Sequence, residues 1–308
     1  MSALAFTLLA LALVGPVPAL LARASWPMRA PRAAVVLWQS IAVAAVLSAF
    51  SAGLALAARL FVPGPDGRPT ADVAMEIAAL GWPLWACSVL VFAVTLIIGF
   101  RLIKAVAEVA ISTRRRRARH RTIVDLLGEH RRELGEVRVL DVAAPLAYCL
   151  PGMRSRVVLS RGTLSALDSD ELAAILQHER AHLRARHDLV LEAFTAVHTA
   201  FPRFVRSGSA LTAVRLLVEL LADDAAVRTA GPRPLARALV TCACSPTPAG
   251  ALAAGGPTTV VRVRRLSGPP NSLVCSVAAY CAAAAILVIP TLAVAIPWLT
   301  ELQRLFKV

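Results

Sequence analysis

A chain of 308 residues that is 57% hydrophobic and only 17% charged carries far more apolar sequence than a soluble protein of this size needs. With a mean hydropathy of +0.67, it is not an ordinary water-soluble chain throughout; it reads as a membrane protein. Its formal net charge of +14 suits either a nucleic acid or an anionic membrane surface, and the placement of the arginines decides between them.

Taken in chain order, four segments reach the roughly 20 apolar residues that a bilayer crossing needs. They lie at about 2–22, 33–59, 78–103 and 271–299. Gly15, Pro16, Pro18 and Pro290 interrupt two of them, which membrane helices tolerate when neighbours satisfy the freed backbone groups. The first segment could instead be a signal peptide, but its positive charge follows the apolar run, and a signal needs it in front. Arg23, Arg29 and Arg32 separate segments one and two; the run STRRRRARHR follows segment three; Arg262, Arg264 and Arg265 precede segment four. The loop holding Asp66, Arg68, Asp72 and Glu76 is mildly acidic. All these biases agree with an N-terminus outside and residues 105–270 in the cytoplasm, in the plasma membrane. The polyarginine run is then a topology signal near anionic lipid. Direct nucleic-acid binding is not expected, since no stacking aromatics are interleaved with it.

Cysteine usage adds little: Cys87, Cys275 and Cys281 fall in membrane segments, and Cys149, Cys242 and Cys244 in the cytoplasmic part, where thiols stay reduced. The stretch SPTPAGALAAGGP, 245–257, reads as a flexible linker. Within 105–270 a helix continues from the third span to about Leu134. VRVLDV, 137–142, reads as a strand, and Ala147 to Leu150 and Val157 to Ser160 are further strand candidates around the turn PGMRSR. Asp168 with Glu171 makes a capping-box start for the helix LDSDELAAILQHERAHLRARHD.

That helix contains His178, Glu179 and His182. Histidines four apart project from one helix face, so one Zn²⁺ can meet both imidazoles. Glu179 stands beside that face, placed to take a proton from water acidified by the ion. The bland alternative is a solvated helix face rich in Arg and His. A third ligand in the metzincin position fails: Ala185 replaces the Gly, Asp188 stands where His should be, and His187 is one position off. VELLADDAAV, 218–227, offers Glu219 and Asp223 four apart. Two His and a Glu with an open fourth position is a catalytic zinc set, and Asp223 could accept the other ring N–H of a ligating His. Glu192 and His198 are rival ligands; Arg228 and Tyr148 are candidates for oxyanion stabilisation or proton donation.

HExxH on one helix, ExxxD on a later one and strands just before resemble the gluzincin membrane peptidases. Four spans with the peptidase domain between the third and fourth, and the stretch AYCLPGMRSRVVLSRGTLSALDSDELAAILQHERAHLRARHDL, narrow this to a resemblance to the BlaR/MecR-type antirepressor metallopeptidases. The resemblance covers nearly the whole chain. It implies a four-span α-helical membrane protein with a cytoplasmic α+β gluzincin domain. It implies zinc on His178, His182 and Glu219, Glu179 as general base and Asp223 behind the ligands. It implies an extended substrate on a sheet edge near Ala147, Tyr148, Cys149 and Leu150. The implied substrate is a cytoplasmic winged-helix repressor of the BlaI/MecI kind, with self-cleavage, in an antibiotic or cell-wall stress response. One departure stands out: after the fourth segment come about nine residues, TELQRLFKV, where the best-known members carry a penicillin-binding sensor. A sensor in this chain is therefore not expected; the signal comes from a separate sensor protein, a second copy, the spans or the outer loop, or activity is constitutive. Two alternatives remain, a non-proteolytic signalling scaffold and a membrane-protein quality-control peptidase. An intramembrane peptidase is disfavoured by Arg180, Arg184 and Arg186 around the motif.

Overall fold

The structure, a computed structural model, describes residues 2–57, 60, 62–63, 69–70, 72–131, 137–152, 155–201, 208–243, 252–253 and 258–306. Among the described residues, four helices are long and apolar enough to cross a membrane: Leu4–Arg23, Pro31–Ala57, Trp82–Leu127 and Leu273–Ala293. The first is α1 (Ser2–Val14) followed directly by α2 (Pro16–Arg23), broken at Gly15 where Pro16 cannot continue the backbone ladder. The second is α3 (Pro31–Ala57). An antiparallel pair of two-residue strands, β1 (Val62–Pro63) and β2 (Pro69–Thr70), and the short α4 (Val73–Leu80) lead to the third. α5 (Trp82–Leu127) begins after Gly81, whose φ of 75° sets off α4. The third span thus starts at Trp82, later than the expected residue 78, because the Gly81–Pro83 turn resets the chain direction.

α5 has 46 residues, about 69 Å at 1.5 Å each, so it runs more than a hydrocarbon thickness of about 30 Å beyond the bilayer. It stops at Leu127, short of the expected Leu134, because Gly128 takes an extended conformation and β3 (Glu129–Arg131) begins at once. β3 belongs to a sheet with β4 (Val137–Leu140), β5 (Ala147–Leu150), β6 (Arg156–Ser160) and β7 (Leu252–Ala253), in the order β3-β4-β6-β5-β7. Among the described strands only β4 and β6 pair in parallel. The expected strands at 137–142, 147–150 and 157–160 are all present, the first ending two residues early at Leu140 and the third starting one residue early at Arg156.

The sheet lies between α5 and the helix α7 (Ser169–Ala185), which follows the single-turn connector α6 (Arg161–Ala166). Strand alternation divides β5: Tyr148 and Leu150 pack with Val124 of α5, while Ala147 joins the core under α7 with Ala174, Ile175 and Leu176. α8 (His187–Ala200), α9 (Gly208–Ala230), α10 (Pro232–Cys242) and α11 (Thr259–Leu266) complete this half, and α12 (Leu273–Phe306) carries the fourth span. The helix overruns the expected 271–299 boundary at its C-terminal end. Most of the stretch 245–257, read as a linker, lies outside the described residues, as do the last two residues of the tail.

The sheet-bearing half and the spans are not separate bodies. Val214, Leu217 and Val218 of α9 pack against Ala34, Val35 and Trp38 of α3, and α8 lies along α5. Arg117 of the polyarginine run is largely buried and binds Asp188 at 3.1 Å and Glu192 at 2.6 Å. That residue is thus a fastener between α5 and α8, beyond the topology signal that its neighbours read as.

Candidate metal centre

α7 starts where expected. Asp168 accepts from the backbone of Asp170 and Glu171, and Glu171 reaches back to the Asp168 amide at 3.2 Å, a complete capping box. This fixes the helix phase, and His178, Glu179 and His182 turn inward, each no more than 1% exposed. The helix ends at Arg186, the one non-glycine residue with positive φ (51°) among those described. The left-handed turn starts α8 at once and swings His187 back onto α7, where its Nδ1 lies 2.9 Å from Nδ1 of His182.

α9 crosses α7 and delivers Glu219. His178 Nε2 and His182 Nε2 are 3.2 Å apart. Glu219 Oε2 is 3.5 Å from the first and Oε1 3.6 Å from the second. A tetrahedral ion with bonds of 2.0–2.1 Å holds its ligands about 3.3 Å apart, so these three side chains fit one such ion, and they form a metal-competent group among the described residues. Both ring nitrogens facing the group are Nε2. His178 Nδ1 lies 3.0 Å from Asp223 Oδ1, which assigns its proton to Nδ1 and leaves Nε2 as the donor atom. Glu179 is fully buried, and its carboxylate oxygens meet no nitrogen or hydroxyl donor among the described residues, the Cys149 thiol being the weak donor that faces them. A buried carboxylate with only a weak donor is costly, and here it adjoins a group shaped for a cation.

Sequence reasoning missed the residue that neutralises this cluster. Arg262, on α11, is 1% exposed. Its Nε donates to Asp223 Oδ2 at 2.8 Å and its Nη2 to Asp223 Oδ1, while Nη1 sits 3.0 Å from Glu219 Oε2. Counted by sequence among the arginines that orient a span, it is a buried bidentate partner. Three carboxylates on one buried site were the signal that a cation had to arrive from somewhere. Its neighbour Arg265 does the same for Asp224, at 2.7 and 3.1 Å.

Titration follows from these contacts. Burial pushes Glu179 up to about 7. Burial would raise Glu219, but His182, His178 and Arg262 outweigh it and hold it at about 2. Asp223 is held well below the usual carboxylate range, Arg262 and His178 overcoming its burial. Burial opposes a charged His178, yet its bonds to Asp223 and Glu219 lift it to about 9. Burial drops His182 to about 3 and His187 to about 4, so both rings are neutral at pH 7. A cation entering here must displace the His178 proton, so its affinity weakens as pH falls.

The other expected residues separate. Glu192 is engaged by Arg117, and His198 lies near the end of α8, lining a cavity among the spans, so neither rivals Glu219. Tyr148 turns to the far face of the sheet, where its hydroxyl meets His120 Nε2 at 2.9 Å; it does not serve the site. Arg228 is exposed in the last turn of α9. At the expected substrate edge, Ala147–Leu150, two of the four residues are paired with the chain's own segment. β5 pairs with β6 on one side and with β7 on the other, Tyr148 opposite Ala253 and Cys149 opposite Leu252. Two residues of the stretch read as a linker satisfy backbone groups that an edge would leave unpaired.

A buried HExxH helix, a carboxylate from a crossing helix and apolar spans define a membrane-type zinc metallopeptidase. The model of peptidase family M48 matches residues 112–269, just over half of the chain, and the chain belongs to that family. No curated protein and no solved structure showed a match.

Proposed function

We propose that the chain is a membrane-anchored zinc endopeptidase of the BlaR/MecR type, with its peptidase half in the cytoplasm and its N-terminus outside. The observation that carries the reading is the convergence of His178, His182 and Glu219 beside the buried Glu179, which no nitrogen or hydroxyl donor meets among the described residues. His178, His182 and Glu219 would hold zinc, which supplies Lewis-acid polarisation of a carbonyl and acidifies water. Glu179 removes the proton from the attacking water and returns it to the leaving amine; a carboxylate lifted to about 7 suits both roles. Asp223 and His187 fix the ring orientation of His178 and His182 by hydrogen bonds to their Nδ1 atoms. Arg262 and His178 keep Asp223 ionised, and His182, His178 and Arg262 together keep Glu219 so.

The substrate is an extended segment laid along β5, the position that Leu252–Ala253 holds in this structure. That the chain's own segment lies there supports self-cleavage, alongside cleavage of a soluble winged-helix repressor of the BlaI/MecI kind. The activating signal comes from a separate sensor or a second copy, and nucleic acid is not bound directly. A second reading has one observation of its own: α9 packs on α3, which sets the site close to the spans and suits cleavage of damaged membrane proteins. New protein N-termini in cells expressing wild type or Glu179→Ala separate the two. A wild-type-specific terminus inside a small DNA-binding protein supports the first reading; termini only in membrane proteins support the second. No difference between the two strains would contradict both and favour a scaffold.

A further inference from the structure

A second feature lies away from the metal centre. Between α1, α3 and α5 on one side and the facing ends of α8 and α9 on the other is a cavity of about 590 Å³. That is within the range of roughly 300–1,000 Å³ seen for ligand sites. Its wall is apolar, with Leu11, Ala45, Val94, Phe194 and Leu211 contributing from five different helices. The polar exceptions on that wall are Arg101 and His198. Arg101 stands 19 residues along α5 from Trp82, about 28 Å by helix rise, so it falls at one boundary of a hydrocarbon layer about 30 Å thick. It is exposed, and its Nε donates to Ala200 O at 3.2 Å, closing α5 onto the end of α8. Among the described residues its two terminal nitrogens have no acceptor. His198 Nδ1 is buried without a hydrogen-bond partner among them. Charge at this depth is costly in lipid and is retained where it meets a partner.

An apolar chamber walled by membrane spans, with a cation at its boundary end, has the form of a receptor for an amphiphile. We infer that this cavity is a binding site for an anionic phospholipid of the surrounding bilayer, one acyl chain in the chamber and the phosphate on Arg101. The chamber walls are spans whose solvent is acyl chain, so the tail enters sideways without crossing water. The terminal guanidinium nitrogens supply the fork that a phosphate oxygen pair accepts. Leu211 lies two turns before Glu219 on α9, so the lipid tail touches the same rigid element that carries the third candidate ligand.

The test is photo-crosslinking of the full chain in nanodiscs with phosphatidylglycerol or phosphatidylcholine carrying a diazirine in the acyl chain, with labelled residues mapped by mass spectrometry. The expected result is saturable labelling of Leu11, Phe194 and Val197 above that of the outward residues Val288 and Ile289 on α12. Phosphatidylglycerol should lead by several-fold, because the choline cation of phosphatidylcholine sits beside its phosphate and offsets the attraction to Arg101. Ala45→Trp should remove the wall labelling and leave that of α12. Arg101→Gln should bring the two lipids level while keeping the chamber open. Retained zinc in each variant shows that it is folded. Wall labelling no higher than that of α12, or a lipid preference unchanged in Arg101→Gln, overturns the site. Absence of labelling on α12 itself overturns it too, by removing the membrane placement on which it rests.

Discussion

The two halves of α9 are built for opposite surroundings. The N-terminal half presents Val214, Leu217 and Val218 to α3 and lines the intramembrane cavity through Ala210 and Leu211. The C-terminal half carries Glu219, Asp223 and Asp224, and each meets an arginine of α11. Apolar packing is non-directional, so the first half tolerates exchanges that conserve volume. The three carboxylates of the second half are buried or half-buried, and each depends on a named partner. One helix therefore joins a forgiving region to an unforgiving one.

The largest effect is expected in the polar half. Glu179→Gln should lower kcat by about 10²-fold or more while zinc and fold are kept, as loss of a general base does; single-turnover cleavage with parallel zinc analysis measures this. Next comes Arg262→Gln, which leaves Asp223 and Glu219 buried without their cation. A cost of about 3–5 kcal/mol is expected, read as a lowered thermal midpoint of the purified chain, with Arg262→Lys recovering only part because the contact on Asp223 is bidentate. A mutant as stable as wild type would show that the pairing carries no weight. Third, His187→Phe should weaken zinc binding by about 10–100-fold with the fold intact, the usual effect of removing a partner behind a ligand; competition with a chelator reports it.

The pH dependence tests the same half more gently. Burial raises Glu179 to about 7, so its base form is lost as pH falls through that value. A cation beside it draws the value down, which places the acid limb of kcat/KM at pH 7 or lower, with up to about a tenfold loss per pH unit below it. A rate that shows no acid limb at any pH below 7 contradicts Glu179 as the base. The smallest effect is expected at Arg264, exposed on the α11 turn that holds Arg262 and Arg265. Arg264→Gln should change stability by no more than about 0.5 kcal/mol, and chemical unfolding of the two variants side by side sharpens the contrast with Arg262.

Local signals were legible in the sequence; long-range pairings were not. The spacing of His178 and His182, the capping box at Asp168 and Glu171, and the four-residue step from Glu219 to Asp223 are periodicities of single helices, and all three appear in the structure. Apolar run length marked the four spans. Arg262 was hidden because it lies 39 residues from its partner Asp223 and wears the same residue type as a topology signal. His187 was hidden because its return to His182 depends on a left-handed Arg186, a conformation that nothing in an arginine announces. β7 is two residues long in a Gly- and Pro-rich stretch, with no alternation to betray a strand, so its pairing with β5 was not legible.

The central claim is that His178, His182 and Glu219 together hold one zinc ion beside a base that is not itself a ligand. Zinc stoichiometry of the purified full chain tests it most directly, in wild type, Glu179→Gln and Glu219→Ala. About one zinc per chain is expected in the first two and a large loss in the third. Full zinc in Glu219→Ala, or its loss in Glu179→Gln, would contradict the ligand set.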